Sequence, residues 1–298
     1  MDRPISALPS LRQLSYLLAL HEHGHFGRAA AATFVTQSTL SVGIAELERT
    51  LGATLVERTR RTVAFTPLGE DVVARARGVV RAAEDLLAAA QGAREPLVGT
   101  VRLAAIPTVA PFLLPRVLPA VAAAWPRLKL IVREMLTGAA CEALGRGSLD
   151  CVLLALPVEC GEVESCPVLA DKLLLASADG AMDAMLPLDE LDSSRLLLLE
   201  DGHCLKDHAL AACDLPTDAG EAPLVASTLQ TLVQLVDAGL GFTLLPAMAV
   251  EAGMLAGTRV RSQAVEGAER QVALAWRRGH ARAEEFRLLG ATVRAAVG

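Results

Sequence analysis

Cys204 and Cys213 stand nine positions apart in LLLLEDGHCLKDHALAACD, residues 196–214, with His203, Lys206, Asp207 and His208 around the first of them. Thiols and imidazoles at that density could fill a core, ligate a metal or exchange electrons. A zinc set would read His-Cys-x3-His-x4-Cys, an order that matches no common ligand spacing, so no metal is expected. Between packing and redox chemistry the residues alone leave the choice open. Of the remaining cysteines, Cys151 in DCVLLAL follows a strand pattern and reads as a small buried hydrophobe, as do Cys141, Cys160 and Cys166.

The elements that must position these residues follow from composition and periodicity. At 298 residues the chain has room for two or three compact units. Hydrophobic residues make up 52% of it, yet each long apolar run is broken by proline or charge, so no membrane association is expected. The start, MDRPISALPSLRQL, lacks the pattern of a secretory leader, which predicts a cytoplasmic protein with mostly free thiols rather than a disulfide framework. The net charge of −6 is unevenly spread: residues 1–95 hold eleven arginines, no lysine and ten acids. A near-neutral first part with clustered arginines can still hold phosphates.

Leu8, Leu11, Leu14, Leu17 and Leu18 recur at helical spacing, HGHFGRAAAATF reads as a short second helix, and Leu40, Ile44, Leu47 and Leu51 line one face of a third. Gln37, Ser38, Ser41 and Glu48 lie off that face. The second helix of such a helix-turn-helix can enter a major groove. ATLVERTRRTVAFTPLG reads as two short strands around an arginine-rich turn, Arg58, Arg60 and Arg61, a wing for the neighbouring phosphate backbone. From Pro67 a helix follows in which Val72, Ala76, Val79, Ala83, Leu86 and Ala90 alternate four and three apart, a heptad seam that predicts pairing with a second copy. Gly92, Pro96 and Gly99 end it. Beyond them TVRLAAI, LKLIVREM, DCVLLAL, KLLLAS, RLLLLE, GFTLLP and RQVALAW alternate with helical stretches, an α/β pattern with mostly parallel sheets. There is no glycine-rich phosphate loop, HExxH or paired-carboxylate signature, so neither an enzyme nor a cofactor is expected.

FGRAAAATFVTQSTLSVGIAELERTLGATLVERTRRTVAFTPLG resembles the N-terminal winged helix-turn-helix of LysR-type transcriptional regulators, and IPTVAPFLLP, LDCVLLAL, LEDGHCLKDHALAAC and GFTLLPA resemble their peroxide-sensing OxyR branch. The resemblance covers nearly the whole chain. It implies a winged helix-turn-helix at 1–66, a linker and dimerisation helix at 67–95, and a two-lobed, periplasmic-binding-protein-like α/β regulatory domain at 96–298, its lobes formed by 96–170 with 271–298 and by 171–270. It further implies that Cys204 reacts with hydrogen peroxide, that Cys213 resolves the product as a disulfide, and that Thr108, Thr137, His203, Asp207 and Arg270 surround the reactive thiol. Lys206 departs from the arginine expected there; it keeps the charge and loses the planar fork. DNA contact is expected from Arg28, Thr36, Gln37, Ser38, Thr39, Ser41 and the wing arginines. Ser38, Gly43, Ala45 and Glu46 depart from the usual reading helix, and Gly43 removes a possible base contact.

If CLKDHALAAC is one helix, nine residues at about 1.5 Å each separate the two Cα atoms by roughly 13 Å. A disulfide needs them within about 7 Å, so bonding would force local refolding. The thiol must react as thiolate, for which a helix start with Lys206 and Arg270 nearby would be suited. The implied partners are double-stranded promoter DNA, hydrogen peroxide, further copies in a homodimer or homotetramer, RNA polymerase and a thiol reductant. The alternative is a LysR-type regulator answering a small-molecule effector, with incidental cysteines.

Overall fold

The computed structural model describes residues 8–58, 63–92, 95–178, 192–216 and 225–298. The chain divides into two compact units, one of residues 1–90 with 146–148 and one of residues 91–145 with 149–298.

In the first unit each helix carries its own start signal. Ser10 opens α1 (Leu11–His23) through a capping box with Gln13. His25 Nδ1 accepts from the Gly27 and Arg28 amides at the head of α2 (Phe26–Ala32). Thr36 Oγ1 accepts from the Thr39 amide to start α3 (Gln37–Leu51), which stops at Gly52 in the left-handed region, φ 69°. Leu14, Leu17, Leu20, Ala29, Leu40, Ile44 and Leu47 meet in one core. Leu8, Leu11 and Leu51, assigned to apolar faces by spacing, stand at or beyond helix ends and are exposed among the described residues. The strands β1 (Val56–Arg58) and β2 (Val63–Phe65) pair antiparallel. Glu48 Oε1 accepts from the Leu55 and Val56 amides, which ties α3 to this hairpin.

Helix α4 (Pro67–Gly92) shares its inner residues with that core: Val73 and Ala76 are fully buried in it, with Val72 packed alongside. Ala76 therefore belongs to the packing of its own unit rather than to a seam. Further along, Val79, Leu86 and Leu87 are exposed.

The second unit is built on a six-stranded sheet in the order β4-β3-β5-β10-β6-β9. Its strands are β3 (Gly99–Ala105), β4 (Leu128–Glu134), β5 (Cys151–Leu156), β6 (Val163–Ser177), β9 (Phe242–Pro246) and β10 (Arg261–Arg277). Only β3 with β4 and β3 with β5 are parallel here; β5, β10, β6 and β9 pair antiparallel, so the expectation of mostly parallel sheets is corrected. The reason lies in the length of β6 and β10: each runs through both lobes, and KLLLAS and RQVALAW are only their apolar ends. A small parallel pair, β7 (Leu198–Leu199) and β8 (Val225–Ala226), completes the strands among the described residues.

Helices α5 (Ala110–Ala124), α6 (Thr137–Gly145) and α10 (Ala283–Val297) accompany the first lobe, and α7 (Cys204–Ala212), α8 (Leu229–Asp237) and α9 (Ala247–Glu251) follow in the second. One core gathers Val101, Leu103, Val152, Leu154, Trp276 and Phe286; the other gathers Leu173, Leu175, Leu199, Leu210, Val233 and Leu245.

A candidate thiol site and a candidate nucleic-acid interface

Helix α7 begins at Cys204 and has Cys213 as its C-terminal cap, so the two thiols occupy opposite ends of one helix. At about 1.5 Å rise per residue their Cα atoms are roughly 13 Å apart, beyond the reach of a disulfide. The helix is held from both sides. Cys204, 4% exposed, packs in the first lobe's core, while Leu205, Ala209 and Leu210 pack in the second's. His203 takes the N-cap position of α7, but its side chain makes no capping hydrogen bond to the first turn; the ring is engaged with the Ser227 backbone instead. At its other end Asp214 takes a left-handed φ of 53°, a conformation L side chains seldom adopt.

Four of the residues expected around Cys204 are buried: Thr108, Thr137, His203 and Arg270. Thr137 opens α6 and its amide donates to the Gly202 carbonyl at 3.2 Å, two residues before Cys204. Arg270 donates from Nη1 to Thr108 Oγ1 at 2.9 Å and from Nη2 to the Thr108 carbonyl at 3.0 Å. Its Nε pairs with Asp171 Oδ2 at 2.9 Å, with both side chains at most 1% exposed. Asp171, which also accepts from the Met248 amide, was not foreseen. One acid at the head of KLLLAS was its only trace in the sequence.

The other two residues lie at the rim. Lys206 is half-buried and turned to Asp201 at 2.6 Å, and Asp207 is exposed. Both cations expected near the thiol thus have carboxylate partners of their own.

The charge states of the neighbours follow from burial. His203 and His208 are pushed down from their ordinary values, in each case mainly by desolvation, so both rings are neutral near pH 7. Neutral His208 donates from Nε2 to the Pro157 carbonyl at 3.1 Å. Burial raises the thiols of Cys151, Cys166 and Cys213, which keeps these three protonated and poorly nucleophilic. A cavity of about 360 Å³ opens beside Thr108 and His203, lined further by Phe112, Glu134, Leu229 and Met254.

Cys141 and Cys160 correct the expectation of unremarkable free thiols. They are bonded, with Cα atoms 5.1 Å apart, because α6 and the loop after β5 meet although the residues are 19 positions apart. Among the described residues no three His, Cys, Asp or Glu side chains group to hold a metal ion. Nor is any helix there long and apolar enough to cross a membrane.

On α3, Gln37, Ser38 and Thr39 are exposed in the first turn, with Ser41 half-buried. The Thr36 hydroxyl is hydrogen-bonded to the Ser38 hydroxyl at 2.9 Å and to the Thr39 hydroxyl at 2.8 Å. Arg28 is exposed and donates to the His23 carbonyl at 2.6 Å, closing the end of α1. Of the wing arginines, Arg58 ends β1, while Arg60 and Arg61 lie outside the described residues. Gly43 has a different role from the one its departure from the family's reading helix implied. It is buried, and a Cβ there would meet the Tyr16 ring at 2.6 Å, so glycine admits the ring and no base contact is lost at that position.

An N-terminal helix-turn-helix with a hairpin, followed by a two-lobed α/β unit, defines a class of regulator. Residues 11–70 match the bacterial regulatory helix-turn-helix protein, lysR family, and residues 94–298 match the LysR substrate binding domain; the chain belongs to the LysR family. Within it the chain is similar to a probable hydrogen peroxide-inducible genes activator from Streptomyces viridosporus, 41% identical, covering 97% of this chain and 95% of that one. It is also 48% identical to the HTH-type transcriptional regulator EstR of Acinetobacter baylyi, covering 84% of each. A solved full-length OxyR variant from Pseudomonas aeruginosa superposes with a TM-score of 0.77 at 32% identity, covering 96% of this chain and 94% of that one.

Proposed function

We propose that the chain is a hydrogen peroxide-responsive, DNA-binding transcription regulator whose sensor is Cys204 with Cys213. The observation that carries this reading is a helix with a thiol at each end, Cys204 packed in one core and Leu205, Ala209 and Leu210 in the other. Attack of the Cys204 thiolate on peroxide forms a sulfenic acid and releases hydroxide. Condensation with the Cys213 thiol then forms the disulfide and releases water. A thiol reductant restores both thiols. Because the bond requires α7 to unwind, Leu205, Ala209 and Leu210 must leave their packing, and the second lobe is remodelled with them.

The division of labour is a head at 1–66, a connecting helix at 67–95 and a sensing domain at 96–298. Arg28, Thr36, Gln37, Ser38, Thr39 and Ser41 would meet duplex promoter DNA together with Arg58, Arg60 and Arg61. The exposed Val79 and Leu86, with Ala83 between them, would pair two copies. RNA polymerase is the further partner this role requires.

The deciding experiment maps disulfides and footprints DNA at matched peroxide doses. The wild type should gain a Cys204–Cys213 bond and a changed footprint; Cys204→Ser should do neither, and Cys213→Ser should stop at an open oxidised thiol. A footprint change that persists in Cys204→Ser sinks the thiol mechanism. A second reading rests on the cavity beside Thr108, whose Phe112, Leu229 and Met254 lining suits an organic effector. A footprint that responds to such a ligand and is insensitive to peroxide would favour it.

A further inference from the structure

We infer that Cys141 and Cys160 form a second thiol–disulfide site, separate from Cys204 and Cys213, whose redox state sets how firmly α7 is held. Both cysteines are only half-buried. They line a cavity of about 620 Å³ together with Glu142, Glu159 and Arg277, which gives a small thiol room to reach the bond. Cys151, by contrast, is fully enclosed in the sheet.

The position of the bond gives it a role. Cys141 sits one turn after Thr137 on α6, and the Thr137 amide holds the Gly202 carbonyl just ahead of Cys204. Cys160 sits three residues after Pro157, whose carbonyl accepts from His208 in the middle of α7. One covalent link therefore joins two of the places where the first lobe grips the α7 segment, on either side of the buried Cys204. With the link closed, α6 and the 157–161 loop move together and both grips are kept. With it open, the loop is free to carry Pro157 away from His208.

The exchange balances without a cofactor. A dithiol reductant attacks one sulfur through a thiolate, forms a mixed disulfide and expels the other sulfur as thiolate. Its second thiol then closes the reductant's own disulfide, so two electrons pass and Cys141 and Cys160 leave as thiols. Peroxide supplies the reverse step by taking up two electrons and yielding two waters.

The test uses the full-length chain with Cys204 and Cys213 already reduced. Dithiothreitol is titrated under native conditions, alkylation of Cys141 and Cys160 is read by peptide mapping, and amide exchange of residues 200–213 is followed in the same samples. Cys141 and Cys160 should become alkylated as a pair, and exchange across α7 should rise about tenfold as they open. Cys141→Ser with Cys160→Ser should show the faster exchange at every reductant level, and it should need several-fold less peroxide to form Cys204–Cys213. The peroxide arm rests on the function proposed above, whereas the exchange arm does not. Loss of the peroxide response with the exchange difference retained sinks that function and leaves the second site standing. A bond that opens only in denaturant, or that opens with no change in α7 exchange, overturns the inference; neither result depends on a variant folding.

Discussion

Helices α3 and α7 both present functional groups at their N-terminal ends, and they are built in opposite ways. Helix α3 is locked: Thr36 caps its start, Gly52 ends it in the left-handed region, and Leu40, Ile44 and Leu47 are fully buried in a single core. Helix α7 is shorter, has no side-chain cap, ends in a strained Asp214 and packs Cys204 in one core and its leucines in another. It also carries His208, and follows His203, each with a buried Nδ1 that has no partner among the described residues. A reading helix must keep one geometry while DNA comes and goes. A helix that must open to let its two ends meet gains from being only moderately stable, and the difference in capping and packing is where that shows.

The largest effect should come from beneath α7. Asp171→Ala removes the carboxylate on Arg270 Nε and strips a fully buried guanidinium of its ion pair, which should destabilise the second unit by about 3–5 kcal/mol. Urea unfolding of the full chain measures it. A loss under about 1 kcal/mol would mean that the buried pair is not the floor of the site.

The two helices can then be set against each other directly. Leu40→Ala and Leu205→Ala should each cost about 2–5 kcal/mol, since both side chains are buried. Only Leu205→Ala should lower the peroxide dose that joins Cys204 to Cys213, as read by disulfide mapping. Equal doses in the two variants would break the contrast between a locked and a yielding helix.

A smaller change, Thr36→Ala, should remove about 1 kcal/mol of α3 stability through loss of the cap. DNA affinity in a titration should fall while the exchange of α7 amides stays unchanged. The smallest effect concerns pH. His203 and His208 are held below the unfolded value of about 6.5, so the unfolded chain binds more protons as pH falls through it. The second unit should therefore keep full stability above that pH and lose it progressively below. His208→Asn should flatten the loss between pH 7 and 5.5 in matched urea curves; an unchanged slope would remove His208 from the account.

Much of the head was legible because its signals are local. Ser10, Thr36 and Gly52 punctuate helices whose apolar periodicity is unbroken between them. The misreadings fell at ends, where Leu8, Leu11 and Leu51 keep the period but are left exposed among the described residues, and at Gly43, where the missing side chain serves Tyr16 from another helix. In the second unit the apolar runs located the strands but not their full length. The remainder of β6, VESCPVLAD, alternates with polar residues and carries no continuous apolar signal.

The thiol site divides along the same line. Spacing alone determined that Cys204 and Cys213 stand too far apart on a helix to bond, because helical rise depends on nothing beyond the backbone. The alternation of elements likewise determined an α/β unit behind a helix-turn-helix head. Only the tertiary structure decided that Arg270 would meet Asp171 across 99 positions, that Lys206 would turn to Asp201, and that Cys141 would find Cys160. The Arg270 pairing depends on which strands become neighbours and on what a buried charge must find once water is gone, and the cysteine pairing on which loop comes to lie against α6. Neither is written in the residues that flank it.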